Sequence, residues 1–221
     1  MLEHLYDGFA QELREDRAFT VRVKMVDHGR LPHDRYLLTD TELAEEVRRM
    51  TDHFTYDLVE GFLPPEQVIR AGVSRFVVDV ERFTEDYREP MSNVGMGVLY
   101  EKTSDGRPLR RKLSSEERRG LLDKWYFPHH RRLTAAVDSA LERFEKALII
   151  DIHSYPLVPL GYELSKEAHR PQVCIGTDEY HTSAQLAQTA LRIFRELGFE
   201  TALNTPFSGT IVPARHYRKD P

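Results

Sequence analysis

Two apolar runs in the chain end in an acid followed closely by histidine: Asp27-His28 after VKMV, and Asp151-Ile152-His153 after LII. Imidazoles leaving neighbouring strand ends can converge on one cation, and a carboxylate completes the three-ligand set with one open position that catalytic zinc uses. That carboxylate must come from elsewhere, and TDHFTYDL offers Asp52 and Asp57. On a continuous helix the wheel sets Asp57 near the apolar stripe and Asp52 opposite it. If Thr51 starts a new turn, Asp52 sits in its first turn and can face the site. Spacing leaves both open, and either histidine alone also reads as a hydrogen-bonded turn residue.

Arg75 and Arg82 flank the apolar centre of SRFVVDVERF. On a regular strand they would point to opposite faces, so Arg82 is expected beyond the strand end. An arginine fork suits a substrate carboxylate, and an arginine beside a metal can stabilise the oxyanion of a scissile carbonyl. The competing reading is ion pairing with Asp79, Glu81 or Glu85. The NTPFSG stretch forms a turn whose amides can contact an anion, making Asn204 a candidate substrate-binding residue. His129 and His130 open a helix and read equally as surface residues or as site candidates, and His181 belongs to a helix cap region. Cys174, the single cysteine, lies in VCIG and reads as a buried structural thiol in a reducing compartment. Neither a G-x-G-x-x-G nor a P-loop pattern occurs, which argues against nucleotide binding.

The elements that must position these groups alternate. Val21 to Gly29 reads as a strand, and Thr39 with Glu42 forms a capping box ahead of Leu43, Val47, Met50, Phe54 and Leu58, so residues 41 to about 60 read as helical, with a possible kink at Thr51. Gly72 to Phe83 is a second strong strand and Met96 to Tyr100 a short one. KTSDGRPLRRKLS is an exposed loop or hairpin, Ser114 and Ser115 open a helix, and Pro128 begins another with Leu133, Val137, Leu141 and Phe144 inward. Ala147 to Ser154 has the unbroken apolar run of a central strand covered on both faces. Val173 to Gly176 is a strand, Ser183 to Leu197 a helix broken by Gly198, and FETALNTPFSG a strand entering a turn. The order specifies one α/β domain over residues 1–221 with a mixed, mostly parallel sheet flanked by helices.

Composition narrows the partners. With 221 residues, 40% hydrophobic and 30% charged, the chain can build its own core. Thirty-one Lys and Arg against 36 Asp and Glu give a net charge of -5 with no basic block, which disfavours nucleic acid. No apolar run reaches a membrane span, and the N-terminal residues lack the order of a secretion signal. A cytoplasmic protein acting on a small molecule is the expectation.

Taken in order, VDHG, TDHFTYDL, SRFVVDVERF, EPMSNVGMGVLY, YFPHH, LIIDIHSYP, CIGTDEYHTS and NTPFSGTIVP make a distinctive series. From about Val21 to Pro213 the chain resembles the N-formylglutamate amidohydrolase family. The resemblance implies a fold similar to the zinc carboxypeptidases and aspartoacylase-like deacylases. It also implies hydrolysis of the formamide of N-formylglutamate, a step of histidine degradation. On matching positions it implies a zinc ion held by His28, His153 and Asp52, the last in a TD-x-x-T pattern. Arg75 would lie at the scissile carbonyl, Arg82 on the substrate carboxylate, and Asp151 beside the metal, orienting its ligands. Related deacylases have asparagine before the second arginine, where this chain has Glu81. The family also continues past the VPARHY region into a strand with a glutamate acting on the metal-bound water, and no glutamate of these 221 residues occupies that motif. The expectation is therefore a zinc-dependent amidohydrolase acting on an N-formyl or N-acyl acidic amino acid. Its base comes from another residue, or the chain is truncated. The alternatives are a non-catalytic binder of a metal or small acid on the same fold, and a metallopeptidase-like hydrolase.

Overall fold

A computed structural model of the chain describes residues 35–60, 63–167 and 169–219, together with the backbone of Phe19–Val23. Strand β1 (Phe19–Val23) lies between β2 (Val68–Arg70) and β3 (Leu148–Ile152), parallel to both, with Val21 opposite Val68 on one side and Ile150 on the other. A second parallel pair joins β4 (Val173–Ile175) to β5 (Thr201–Leu203). Helix α1 (Asp40–Arg49) precedes β2, helices α2 (Ser115–Leu121) and α3 (Phe127–Phe144) precede β3, and α4 (Ala184–Glu196) connects β4 to β5. The result is an α/β architecture with parallel strand pairs and helical crossovers, as parallel pairing requires. Two antiparallel bridges, Tyr36 with Arg110 and Lys102 with Pro108, lie outside the strands. Among the described residues no helix is long and apolar enough to cross a membrane.

The helix starts follow local rules. Thr39 accepts a hydrogen bond from the Glu42 amide and Glu42 accepts one from the Thr39 amide, closing the expected capping box of α1. Ser114 and Glu117 repeat it at α2, and the Ser183 hydroxyl accepts from the Leu186 amide at α4. Gly198, at φ 85°, takes the left-handed conformation that ends the α4 region. Pro128 does not start a separate helix: a single π-helical turn, Leu122–Tyr126, joins α2 to α3 without a break. The inward face of α3 is His129, Leu133, Val137 and Ala140, so His129 is a buried residue rather than a surface one.

Further elements differ from the sequence expectation. Helix α1 stops at Arg49 instead of running to about Glu60, and the Thr51 hydroxyl bonds back to the Val47 carbonyl at 2.6 Å. The residues after it are mostly Thr, Asp, His and aromatics, which hold a helix weakly. Phe54, assigned to the apolar stripe, is 77% exposed at φ 64°. Strand β3 is an edge of its described sheet and half-buried along its length; β1 is the central strand.

The largest difference is at SRFVVDVERF, which forms a chain of turns, as does MGVLY, while the neighbouring strand is only the three residues of β2. The segment is wedged between two cores. Phe76 packs with Leu43, Val47, Met50, Met96, Tyr100 and Leu109, while Val77, Val78 and Val80 pack with Val98, Leu99, Leu121 and Leu122. Apolar composition and alternation reported burial on both sides correctly, but burial does not require a strand partner. Side chains serve the backbone instead: Tyr36 Oη and Arg110 donate to the Phe76 carbonyl, His130 Nε2 contacts the Val80 carbonyl, and Tyr126 Oη donates to Arg82 O. His130 is thus half-buried and bonded. The 102–114 stretch, expected as an exposed loop or hairpin, carries a hairpin bridge between Lys102 and Pro108, but it is not exposed throughout: Thr103, Ser104, Leu109 and Arg110 are buried. Cys174 in β4 is half-buried.

Candidate active site

The end of β3 and two turn segments bring five ionisable side chains together. Asp151 is the penultimate residue of β3, and His153 is the first residue after the strand. Asp52 comes from the turn after α1, where the Thr55 hydroxyl bonds its carbonyl at 3.2 Å. Arg75 and Glu81 come from the turn chain between the two cores. Arg75 Nη2 donates to Asp52 Oδ1 at 2.5 Å, and Asp52 Oδ2 lies 2.7 Å from His153 Nδ1. The other ring nitrogen, Nε2, is 3.2 Å from Asp151 Oδ2 and 3.4 Å from Glu81 Oε1. His153 therefore has a carboxylate at each nitrogen, and with 36% of its side chain exposed it is the member a solute can reach. Asp52 and Arg75, at 7% and 8% exposure, form the buried floor.

Beneath this cluster, Asp79 is almost fully buried and holds the turn that carries Glu81 and Arg82. Its Oδ2 accepts from Tyr100 Oη at 2.6 Å and faces Arg82 Nε at 3.6 Å, while Oδ1 accepts from the Glu81 amide at 3.1 Å. Both arginines, of which Arg82 was expected beyond the end of a strand, thus lie against the same network.

The electrostatics follow from burial and contact. Desolvation lowers the His153 pKa, but Glu81, Asp151 and Asp52 outweigh it and push it up to about 10. Burial opposes the charge on Arg75, and Asp52 more than restores it, so that guanidinium stays cationic. Arg82 behaves likewise with Asp79 as its chief support. Burial and the Asp79 carboxylate both raise the Tyr100 phenol, which remains a neutral donor. An imidazole that gathers carboxylates and takes up a proton is also a group whose proton a cation can replace. One ligand atom each from Glu81, Asp151 and His153 lies within 4.8 Å of the others. Imidazole and carboxylate donors suit zinc or another divalent ion, so the donor set fits such a cation.

Of the residues singled out in the sequence, Asp52, Arg75, Asp151 and His153 meet in one cluster, and Arg82 adjoins it through Asp79. His28 lies outside the described residues. Asp57 is exposed and has no part in these contacts, so the helical wheel that favoured it fails with the helix it assumed. Asn204, at φ 56°, bonds the Thr177 amide and hydroxyl at the end of the β4–β5 pair, and joins none of these contacts. His181 accepts from the Arg218 amide near the start of α4. The sequence reading did not find Tyr100, whose only signal was a phenol at the end of an apolar run, and treated Asp79 as no more than a possible ion-pair partner.

Comparison with known proteins adds to this geometry. A curated N-formylglutamate deformylase from Pseudomonas putida is 32% identical over 136 residues, which is 56% of this chain and 49% of that enzyme, so the alignment spans about half the relative's length. The crystal structure of N-formylglutamate amidohydrolase from Ralstonia eutropha JMP134 superposes with a TM-score of 0.71 at 21% identity, covering 89% of this chain and 76% of that one, a likeness of fold. The family model described as N-formylglutamate amidohydrolase matches residues 23–221. With nearly the whole sequence matched in that way, the chain belongs to the N-formylglutamate amidohydrolase family.

Proposed function

We propose that this chain is a metal-dependent amidohydrolase that cleaves the N-formyl or N-acyl amide of a small amino acid, with N-formylglutamate, the compound in the names of both relatives, as the reference substrate. The observation that carries the proposal is the convergence of His153, Asp52 and Arg75, an imidazole, a carboxylate and a guanidinium within hydrogen-bond reach at a strand end.

In this reading His153 and Asp52 hold the cation, with His28 as the third ligand. Zinc, when bound, would polarise the amide carbonyl and bring the pKa of a water toward about 7. The residues do the rest. Arg75 is fixed by its bond to Asp52 and supplies a charged donor for the oxygen that becomes negative as the carbonyl is attacked. Being already oriented, it loses little on substrate binding. Arg82, with 24% of its side chain exposed and Asp79 behind it, meets the substrate carboxylate. Asp151 holds the ring of His153 in place from the Nε2 side.

A second reading of the metal site rests on the ligand atoms of Glu81, Asp151 and His153 within 4.8 Å: the cation sits at Nε2, and Asp52 becomes the carboxylate that orients the ring. Zinc titration of Asp52→Asn and Glu81→Gln separates them. Loss of binding in Asp52→Asn alone favours the first, and loss in Glu81→Gln alone the second. The hydrolase itself is tested with His153→Ala, which should lose both zinc and formate release. Full turnover by metal-free His153→Ala protein would overturn the proposal, and zinc binding by the parent without product would make it a binding protein.

A further inference from the structure

The segment that follows His153 returns to the site at Leu160–Glu163, a turn fixed on several sides. The Glu163 amide donates to the Leu160 carbonyl at 3.1 Å, and the Glu163 carboxylate accepts from the Leu160 amide at 2.7 Å. That carboxylate is buried and paired with the equally buried Arg170, and Lys166 Nζ donates to the Leu160 and Gly161 carbonyls at 3.1 and 2.7 Å. A Cβ on Gly161 would lie 2.9 Å from the Ser104 carbonyl, so only glycine lets the turn come this close to the 102–114 stretch, where Ser104 is itself held by Glu46. Tyr162 sits within this frame. Its half-buried ring packs against the core cluster that contains Met50, Phe76 and Tyr100. Met50 is two residues before Asp52, Phe76 follows Arg75, and Tyr100 donates to Asp79, so this is the core on which the site is built. Among the described residues the Tyr162 hydroxyl has no hydrogen-bond partner, while Arg75, Glu163, Asp52 and Arg82 all act on it electrostatically.

We propose that Tyr162 is a catalytic residue: its hydroxyl donates, beside Arg75, to the amide oxygen that becomes negative as the carbonyl is attacked. The inference rests on the hydrolase reading and adds a residue to its machinery. Part of the Arg75 fork is committed to Asp52, and a developing oxyanion is stabilised best by more than one fixed donor. Arg75 acts on the Tyr162 phenol more strongly than Arg82 does, so the hydroxyl serves the carbonyl end of the substrate rather than its carboxylate. Burial raises the phenol above its ordinary range, which keeps it protonated and able to donate. The anchored turn holds the donor in place before substrate arrives, and being neutral it adds no charge that would repel an anionic substrate.

The test compares Tyr162→Phe with the parent, both zinc-loaded, in kcat and KM for N-formylglutamate and in calorimetric binding of the methylphosphonamidate of glutamate, whose phosphoryl oxygens copy the attacked carbonyl. In the variant kcat should fall about a hundredfold while KM changes by less than about twofold, the signature of a bond made only in the transition state. The analogue should bind about tenfold or more weakly to the variant. Zinc affinity and Tm should stay at the parent's values, since the ring packing is kept and the lost hydroxyl had no partner. An unchanged kcat, or a higher KM at parental kcat, overturns the inference, as does a loss of turnover matched by weaker zinc binding or a lower Tm. Should the parent release no formate, the hydrolase reading fails, and analogue binding still decides the role of Tyr162: weaker binding by the variant supports it, and equal binding or none overturns it.

Discussion

The amino ends of α1 and α2 and the turn chain from Ser74 to Arg82 are both held by side chains that satisfy backbone groups, but over very different ranges of sequence. At the helix starts the donor and acceptor are three residues apart, Thr39 with Glu42 and Ser114 with Glu117. In the turn chain the partners are 34 to 50 residues away: Arg110 and Tyr36 at Phe76, Tyr126 at Arg82 and His130 at Val80. The caps are exposed and their side chains contact water as readily as each other. Asp79, at the centre of the turn chain, is 1% exposed and has exchanged water for Tyr100, Arg82 and the Glu81 amide. Local bonds of the first kind make a helix end at small cost. Bonds of the second kind exist only once the whole fold has formed, and they allow charged groups to stand fixed beside an accessible imidazole.

The sharpest way to break the contrast is Asp79→Ala. Removing one partner of a buried charge network leaves the other uncompensated, and losses of about 3–5 kcal/mol are typical. Chemical denaturation should show a loss of that order, and Arg82 and Glu81, both released, should give the folded fraction a higher KM along with lower kcat. A loss below about 1 kcal/mol would mean that the network holds little of the fold. Ser114→Ala, at the other pole, removes a cap that other residues can replace with water, and about 1 kcal/mol is expected with no change in zinc affinity. The two sites share no partners, so the double variant should lose the sum.

The same division of ranges decides what could be read in advance. The Thr39–Glu42 capping box, the helix starts at Ser114 and Ser183, the Gly198 break and the strands at 148–152, 173–175 and 201–203 were legible because their causes lie within a few residues. The strand expected over Gly72 to Phe83 was not, because an apolar run reports burial and says nothing of whether carbonyls meet another strand or Tyr36, Arg110 and His130. The same holds for α1, whose apolar spacing continued past Arg49 to Phe54, which the structure turns outward. In the site, histidine and acid at a strand end signalled His153 and Asp151, since that spacing is local. The union of Asp52, Arg75 and Glu81 with them is a property of packing, and the sequence could present it only as a resemblance. Asp79 had no local signal that separated it from a surface acid.

The smallest effect lies in the pH dependence of the exposed cap, and it runs opposite to that of the site. Arg111, and then the Ser114 amide, hold the Glu117 carboxyl down from its ordinary 4.5 to about 2. A depressed folded pKa gives stability that is present above about 4.5 and lost as pH falls through about 2. His153, raised from 6.5 to about 10, gives the metal-free protein stability that is full below about 6.5 and lost as pH rises through about 10. Glu117→Gln should therefore flatten the acid limb of the stability profile between pH 4.5 and 2 and leave the alkaline limb in place. Because the Glu117 pair with Arg111 lies at the surface, salt should shrink its share, whereas the alkaline limb, set by groups packed around His153, should be less sensitive. Denaturation midpoints at several pH values and two salt concentrations check both. If the acid limb of Glu117→Gln overlays that of the parent, charge contributes nothing to the cap and the bond to Ser114 alone must account for it.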